Sequence, residues 1–293
     1  MKSAFAYTLN VHGRLLDLGC PQVMGILNCT PDSFYEGSRV QTERTIAARV
    51  QEILAQGGSI IDVGAFSTRP GANAVAEEEE MNRLRFALSI VRRECPNGVI
   101  SVDTFRPDVA KMAVEEYGAG IINDVSEGGI AGIADTRIDL LTEDSLTEEC
   151  PPMFKMVAQL KVAYVLMSVR ANLHDTLLTF AKKVQRLRDL GQKDIILDPG
   201  FGFGKTRDED YRLLDELDRL AVMGLPVLVG VSRKRMITHP LNITTDEALN
   251  GTTVANTIAL QKGASILRVH DVREAVEAVK IVNCLRKNRQ QEK

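Results

Sequence analysis

Short apolar runs rich in branched residues recur along the chain, and a helical pattern fills most of the gaps between them. The runs are Gln22–Leu27, Ser59–Val63, Val99–Val102, Gly120–Ile122, Ala163–Met167, Ile195–Leu197, Val227–Val229 and Ile266–Val269. Thr42–Gln56 sets Ile46, Val50, Ile53 and Leu54 on one stripe and meets Gly57-Gly58, a helix stop. Glu77–Arg93 sets Met81, Leu84, Leu88 and Val91 on one face, with glutamates at its start and arginines at its end, as the helix dipole favours. The last helix buries Val272, Ala275, Val279 and Val282, and the Asp271/Glu274 spacing predicts a capping box at its start. Alternating strands and helices predict a parallel sheet, and eight repetitions predict a closed (β/α)8 TIM barrel. Tyr7–Leu18 reads as a hairpin turning at His12-Gly13, capping the barrel bottom. No Pro/Gly/Ser-rich linker interrupts residues 1–293, so a single barrel domain is expected.

Composition narrows the function classes. The 293 residues are 44% hydrophobic and 26% charged, an ordinary globular mixture, and the net charge of −3 offers nucleic acid or an anionic membrane no basic field. No stretch reaches the roughly 18 apolar residues of a membrane span, and Met1–Leu9 lacks the pattern of a signal peptide, so a cytoplasmic enzyme is expected. Five scattered cysteines form no CxxC or Cys/His ligand spacing and read as reduced thiols.

Barrel chemistry sits where strands end and βα loops begin. Those positions carry Asn28, Asp62, Asp103, Asn123, Ser168, Asp198, Ser232, Lys234, Arg268 and His270. Any one of them alone is a turn-former or cap, but a ring of them on one face reads as a site. Gly200-Phe-Gly-Phe-Gly-Lys205-Thr206 fails as a phosphate loop, because Pro199 stands where the first glycine belongs; Lys205 likewise replaces the third glycine of a dinucleotide fingerprint. It reads instead as a loop that lets a flat ligand approach, with Phe203 as a stacking face or a lid residue. Asn28–Phe34 and Ser67–Gly71 combine Pro31 and Pro70 with Gly37 and Gly71, as switching lids do, and Arg69 is a fork suited to phosphate or carboxylate.

The ordered stretches GILNCTPDSF, IIDVGAFSTRPGA, SVDT, IIND, ILDPGFGFGKT, VGVSRKRMI and LRVHD resemble dihydropteroate synthase from the first barrel strand to the last helix. The resemblance implies condensation of 6-hydroxymethyl-7,8-dihydropterin diphosphate with p-aminobenzoate, a magnesium requirement and a homodimer through the outer helices. It implies that Asp198 accepts the paired donors of the pterin edge, with Asn123 and Asp103 on neighbouring ring atoms. Lys234 would donate to the ring and lie beside the p-aminobenzoate, and Ser232 would sit near its carboxylate. Arg268 and His270, one residue apart, would point the same way and grip the diphosphate together, with Thr68 and Arg69 closing over it and Asn28 holding magnesium. Asp103, Lys234 and Arg268 would be the catalytic group. Cys29 is read as packing. Ser168 departs from the family's usual histidine, and Ser126–Pro151 reads as an acidic surface elaboration. Two other readings remain at this point: a methyltetrahydrofolate-using methyltransferase barrel, and a non-catalytic pterin-binding barrel.

Overall fold

The computed structural model describes residues 7–29, 39–65, 75–128 and 150–291. A hairpin of β1 (Thr8–Val11) and β2 (Arg14–Asp17) comes first. His12 at φ 50° and Gly13 at φ 73° form the two-residue turn that matches strand twist. Eight strands follow: β3 (Gln22–Asn28), β4 (Ile60–Gly64), β5 (Val99–Asp103), β6 (Ile121–Asp124), β7 (Ala163–Met167), β8 (Ile195–Asp198), β9 (Leu228–Val229) and β10 (Ile266–Val269). They form one parallel sheet in the order β8-β7-β6-β5-β4-β3-β10-β9. A parallel bridge between Leu197 and Val227 joins its two edges, so the barrel closes as expected.

Around it stand α1 (Arg39–Ala55), α2 (Glu77–Glu94), α3 (Pro107–Tyr117), α4 (Pro152–Leu160), α5 (Leu173–Asp189), α6 (Arg207–Asp215), α7 (Arg235–Leu241), α8 (Leu249–Gln261) and α9 (Val272–Gln291), with a 3-10 turn at Leu217–Met223. The glycine stop after α1 forms as the sequence predicts: Gly58 N–H donates to Ile53 O at 2.8 Å, and Gly57 sits at φ 90°. The capping box predicted at Asp271 does not form. Both carboxylate oxygens of Asp271 take the Arg233 guanidinium, at 3.0 and 2.6 Å, because a bidentate ion pair outcompetes a single backbone N–H. A complete box opens α6 instead, between Thr206 and Glu209.

Period two divides every strand between two cores. Ile61, Val63, Ile100, Val102, Ile122 and Leu197 face the helices. Ile60, Ile121, Ala163, Ile196, Leu228 and Ile266 fill the lower barrel, where Leu9, Val11 and Leu18 of the hairpin plug it. No described helix is long and apolar enough to cross a membrane.

Candidate active site

The inward parity that fills the lower barrel with isoleucines reaches polar residues near the strand ends. Ile60 leads to Asp62, Ile121 to Asn123, Ile196 to Asp198 and Ile266 to Arg268, each two residues on. The side chains therefore converge over the apolar plug. Arg268 Nε donates to Asp62 Oδ2 at 2.6 Å and Nη2 to Asp103 Oδ2 at 2.7 Å. Asn123 Nδ2 donates to the same Asp62 oxygen at 3.2 Å. Asp62 Oδ1 is buried without a partner among the described residues, an acceptor left over for a ligand donor. Burial pushes the Asp103 carboxyl up to about 7, although Arg268 pulls the other way. Burial also opposes charge on Arg268, but Asp62 and Asp103 outweigh it and hold the guanidinium firmly protonated.

Beside this bridge lies the loop after β8. Asp198 is buried and raised by burial, while Lys234 and the Gly200 N–H, which donates to Oδ1 at 2.7 Å, hold it down. Gly200 at φ 71° is required here, since a Cβ would come within 2.1 Å of Ser168 O. Lys205 is no phosphate ligand: its ammonium donates to Ser168 O, Gly200 O and Phe203 O at 3.1, 3.0 and 3.2 Å, pinning the loop. Phe203 packs on Val125, Met167 and Val169. Lys234 Nζ stands 4.6 Å from the Phe203 ring centroid, donates to Phe201 O and is lowered by burial to about 8.

The joint grip of Arg268 and His270 needs correction. Arg268 commits two of its nitrogens to the inner carboxylates, bridging the buried Asp62 and the half-buried Asp103. His270 opens instead on a cleft lined by Asn28, Arg49, Glu52, Arg233 and Asp271, a lining that does not include Arg268. The His270 backbone N–H donates to Ser232 Oγ at 3.3 Å, and the same hydroxyl pairs with the ring Nδ1 at 3.0 Å. Burial, then Arg268 and Arg233, lower His270 to about 4, so it is neutral at pH 7. Ser232 Oγ thus meets both the backbone and the ring of His270.

Asn28 is exposed at the end of β3, and its amide has no hydrogen-bond partner among the described residues. No cluster of three His, Cys, Asp or Glu able to hold a metal occurs among those residues. Thr68 and Arg69, both lids and residues 129–149 lie outside the described residues. Cys29 is 1% exposed and pushed up to about 12 by burial, which fits packing. Ser168 is fully buried; its hydroxyl accepts the Arg170 N–H at 3.3 Å.

Sequence reasoning named Asp62 in the strand-end ring but gave it no role, although it shares the inward parity of Asp103. Arg49 offered none: it resembles any solvated helix cation, yet it donates to Ile26 O and His270 O at 3.3 and 2.6 Å and staples two strand ends.

Comparison with known proteins gives one consistent answer. The family model described as pterin binding enzyme matches residues 24–270. The dihydropteroate synthase of Escherichia coli K12 is 35% identical over 285 residues, covering 94% of this chain and 95% of that one. That of Clostridium beijerinckii is 36% identical over 272 residues, covering 90% and 93%. Among solved structures, the Xanthomonas albilineans dihydropteroate synthase with 4-aminobenzoic acid superposes with a TM-score of 0.81 at 33% identity, covering 96% of this chain and 99% of the other. The same organism's enzyme in complex with 7,8-dihydropteroate gives 0.78 at 32% identity, again covering 96% and 99%.

Proposed function

This chain belongs to the dihydropteroate synthase family of pterin-binding enzymes, and from that premise we propose how its own residues carry the reaction. It joins 6-hydroxymethyl-7,8-dihydropterin diphosphate to p-aminobenzoate, giving 7,8-dihydropteroate and pyrophosphate. The observation that carries the assignment of roles is the Asp62–Arg268–Asp103 bridge with Asn123 and Asp198 beside it.

The inner mouth is rich in acceptors, which suits a ring edge that presents donors. Asp198 keeps Oδ2 for the exocyclic amine and ring N–H, and the unpartnered Asp62 Oδ1 faces the same need. Asn123 supplies a mixed edge, Lys234 a donor to a ring oxygen or nitrogen, and Phe203 a wall for the flat face. Bond formation joins the p-aminobenzoate nitrogen to the exocyclic methylene carbon. The bond to the diphosphate oxygen breaks with its electron pair, and the amine loses a proton. An aromatic amine is a weak nucleophile, so departure runs ahead of attack, and positive charge spreads into the dihydropterin. Asp103, held by Arg268, stabilises that charge and is positioned to take the amine proton. His270, neutral and held at Nδ1 by Ser232, would donate to the diphosphate from the outer cleft in its Nε2-protonated form, with Arg69 and Thr68 closing over it.

Asn28 would hold magnesium. A single neutral oxygen fits an ion kept mostly by diphosphate oxygens and water, and its amide, without a partner among the described residues, lines the His270 cleft in agreement with that use. Bound there, the ion neutralises charge on the leaving oxygens. A cytoplasmic location agrees with five free cysteines. Homodimerisation through the outer helices agrees with Val254 and Ile258 on α8 and Ile281 and Leu285 on α9, which stay exposed one turn apart.

Pyrophosphate release from the pterin diphosphate, measured with and without p-aminobenzoate, tests the reading. Release that requires the amine is expected. Release independent of it, or none at all, would refute the transferase assignment and return the chain to the methyl-transferring or non-catalytic pterin barrels.

A further inference from the structure

Behind the ring pocket lies a second polar cluster that the reaction does not use. Asp124 is the neighbour of Asn123 but has the opposite parity, so its carboxylate turns into the helix layer. There Oδ1 accepts the Ser126 N–H at 2.6 Å and hydroxyl at 2.5 Å, while Oδ2 accepts the Gly128 N–H at 3.0 Å and Tyr164 hydroxyl at 2.6 Å. The turn after β6 is thus closed around one carboxylate. Glu127, inside that turn, is 4% exposed and adopts φ 60°, a left-handed conformation that strains a non-glycine residue. Its Oε1 accepts the Val169 N–H from the next loop at 2.9 Å. Its Oε2 meets the buried Lys183 ammonium of α5, which also donates to the Glu127 carbonyl at 3.2 Å.

We propose that Glu127, fixed by Lys183, is a positioning residue that sets the width of the pterin slot through its hydrogen bond to Val169. Val125 lies two residues before Glu127, Val169 is the residue it grips, and both pack with Met167 and Phe203 as one apolar cluster. The coupling continues around the mouth. Ser168, next to Val169, accepts Lys205, which holds Gly200 and Phe203 on the far side of the slot. A strained, buried glutamate persists only when its surroundings over-determine it. Stability alone does not call for a charged pair here, since apolar replacements of buried pairs are often neutral or better.

The proposal rests on the ring-pocket reading above, so its test measures binding apart from turnover. Two double variants remove both buried charges and differ in one feature. Glu127→Gln/Lys183→Met keeps an acceptor for the Val169 N–H, whereas Glu127→Leu/Lys183→Met does not. Calorimetry with a pterin monophosphate, alongside melting curves, is expected to give the glutamine variant a Kd within about twofold of wild type. The leucine variant should bind at least fivefold more weakly while melting at a similar temperature, and at saturation its kcat should change less than its KM. Equal pterin affinity in the two variants would overturn the positioning role. If either fails to fold, hydrogen exchange on the unmodified protein decides: pterin binding should slow exchange at the Val169 and Gly128 amides at least fivefold, and unchanged rates reject the proposal. Wild type that binds no pterin would instead refute the pocket reading.

Discussion

The two ends of this barrel are built by the same strands and obey opposite rules. At the bottom, inward positions carry Ile60, Ile121, Ile196 and Ile266, sealed by Leu9 and Val11 of the hairpin. Two residues further on, the same parity carries Asp62, Asn123, Asp198 and Arg268. Each large aliphatic side chain removed from water at the bottom contributes about 1.5–3 kcal/mol, without regard to direction. The mouth is directional and holds groups with unmet capacity, such as Asp62 Oδ1. Inside the barrel, apolar packing fills one end while the other keeps polar groups poised for a ligand.

The sharpest way to break that contrast is at Arg268. Arg268→Ala leaves Asp62 and Asp103 buried without their cation, and turnover should fall about 10²–10³-fold, as on loss of one charge-stabilising donor. Because the guanidinium sits inside the ring pocket, affinity for the bare pterin should fall as well. Arg268→Lys should recover only part of both, since an ammonium cannot reach two carboxylates with a planar fork. Steady-state kinetics with pterin calorimetry checks this; full pyrophosphate-releasing activity in the alanine variant would show the bridge to be structural.

At the opposite end, Leu9→Ala should cost about 2–5 kcal/mol of folding stability by opening a cavity under the barrel. Chemical denaturation should record it while pterin Kd stays unchanged. A parallel loss of pterin affinity would mean that the two ends are not independent.

Asp198→Asn tests the mouth more gently. An amide must offer an N–H to one of two ring donors, and charged hydrogen bonds are worth about 1.5–3 kcal/mol, so pterin affinity should drop tenfold or more. No change in a calorimetric titration would remove Asp198 from the ring edge.

The smallest effect is a pH dependence. Burial lowers Lys234 to about 8, so its positive charge is present below that value and lost as pH rises through it. Pterin affinity should weaken severalfold as pH rises through about 8, and Lys234→Met should lose that step. A pH step that survives in Lys234→Met would belong to Asp103, which burial raises to about 7, or to Lys205, which burial also lowers to about 8. His270, at about 4, supplies no step between them.

Strand positions were legible because a short buried parallel strand is an apolar run, and β3 to β10 fall where those runs lie. Asp103, Asn123, Asp198 and Arg268 were legible because a polar residue ending such a run has no packing reason to be there. Glu127 and Lys183 were not: a glutamate in an acidic stretch and a lysine on an amphipathic helix look solvated, and 56 positions separate them. Asp271 misled for the same reason, since a capping spacing is visible locally and its arginine partner lies 38 positions away.

The sequence by itself therefore determined which side chains enter the barrel and at what height, because parity and strand ends are local properties of the chain. Only the tertiary structure decided who holds whom. Arg268 meets Asp62 across 206 positions and Asp103 across 165, on strands two and three places round the barrel from its own, so the contacts cross the barrel interior. The ring of His270 is held at Nδ1 because Ser232 arrives from the neighbouring strand's loop. Pairings of this kind depend on the order of strands around the barrel and on which buried charges most need neutralising, and neither is written in any short stretch of residues.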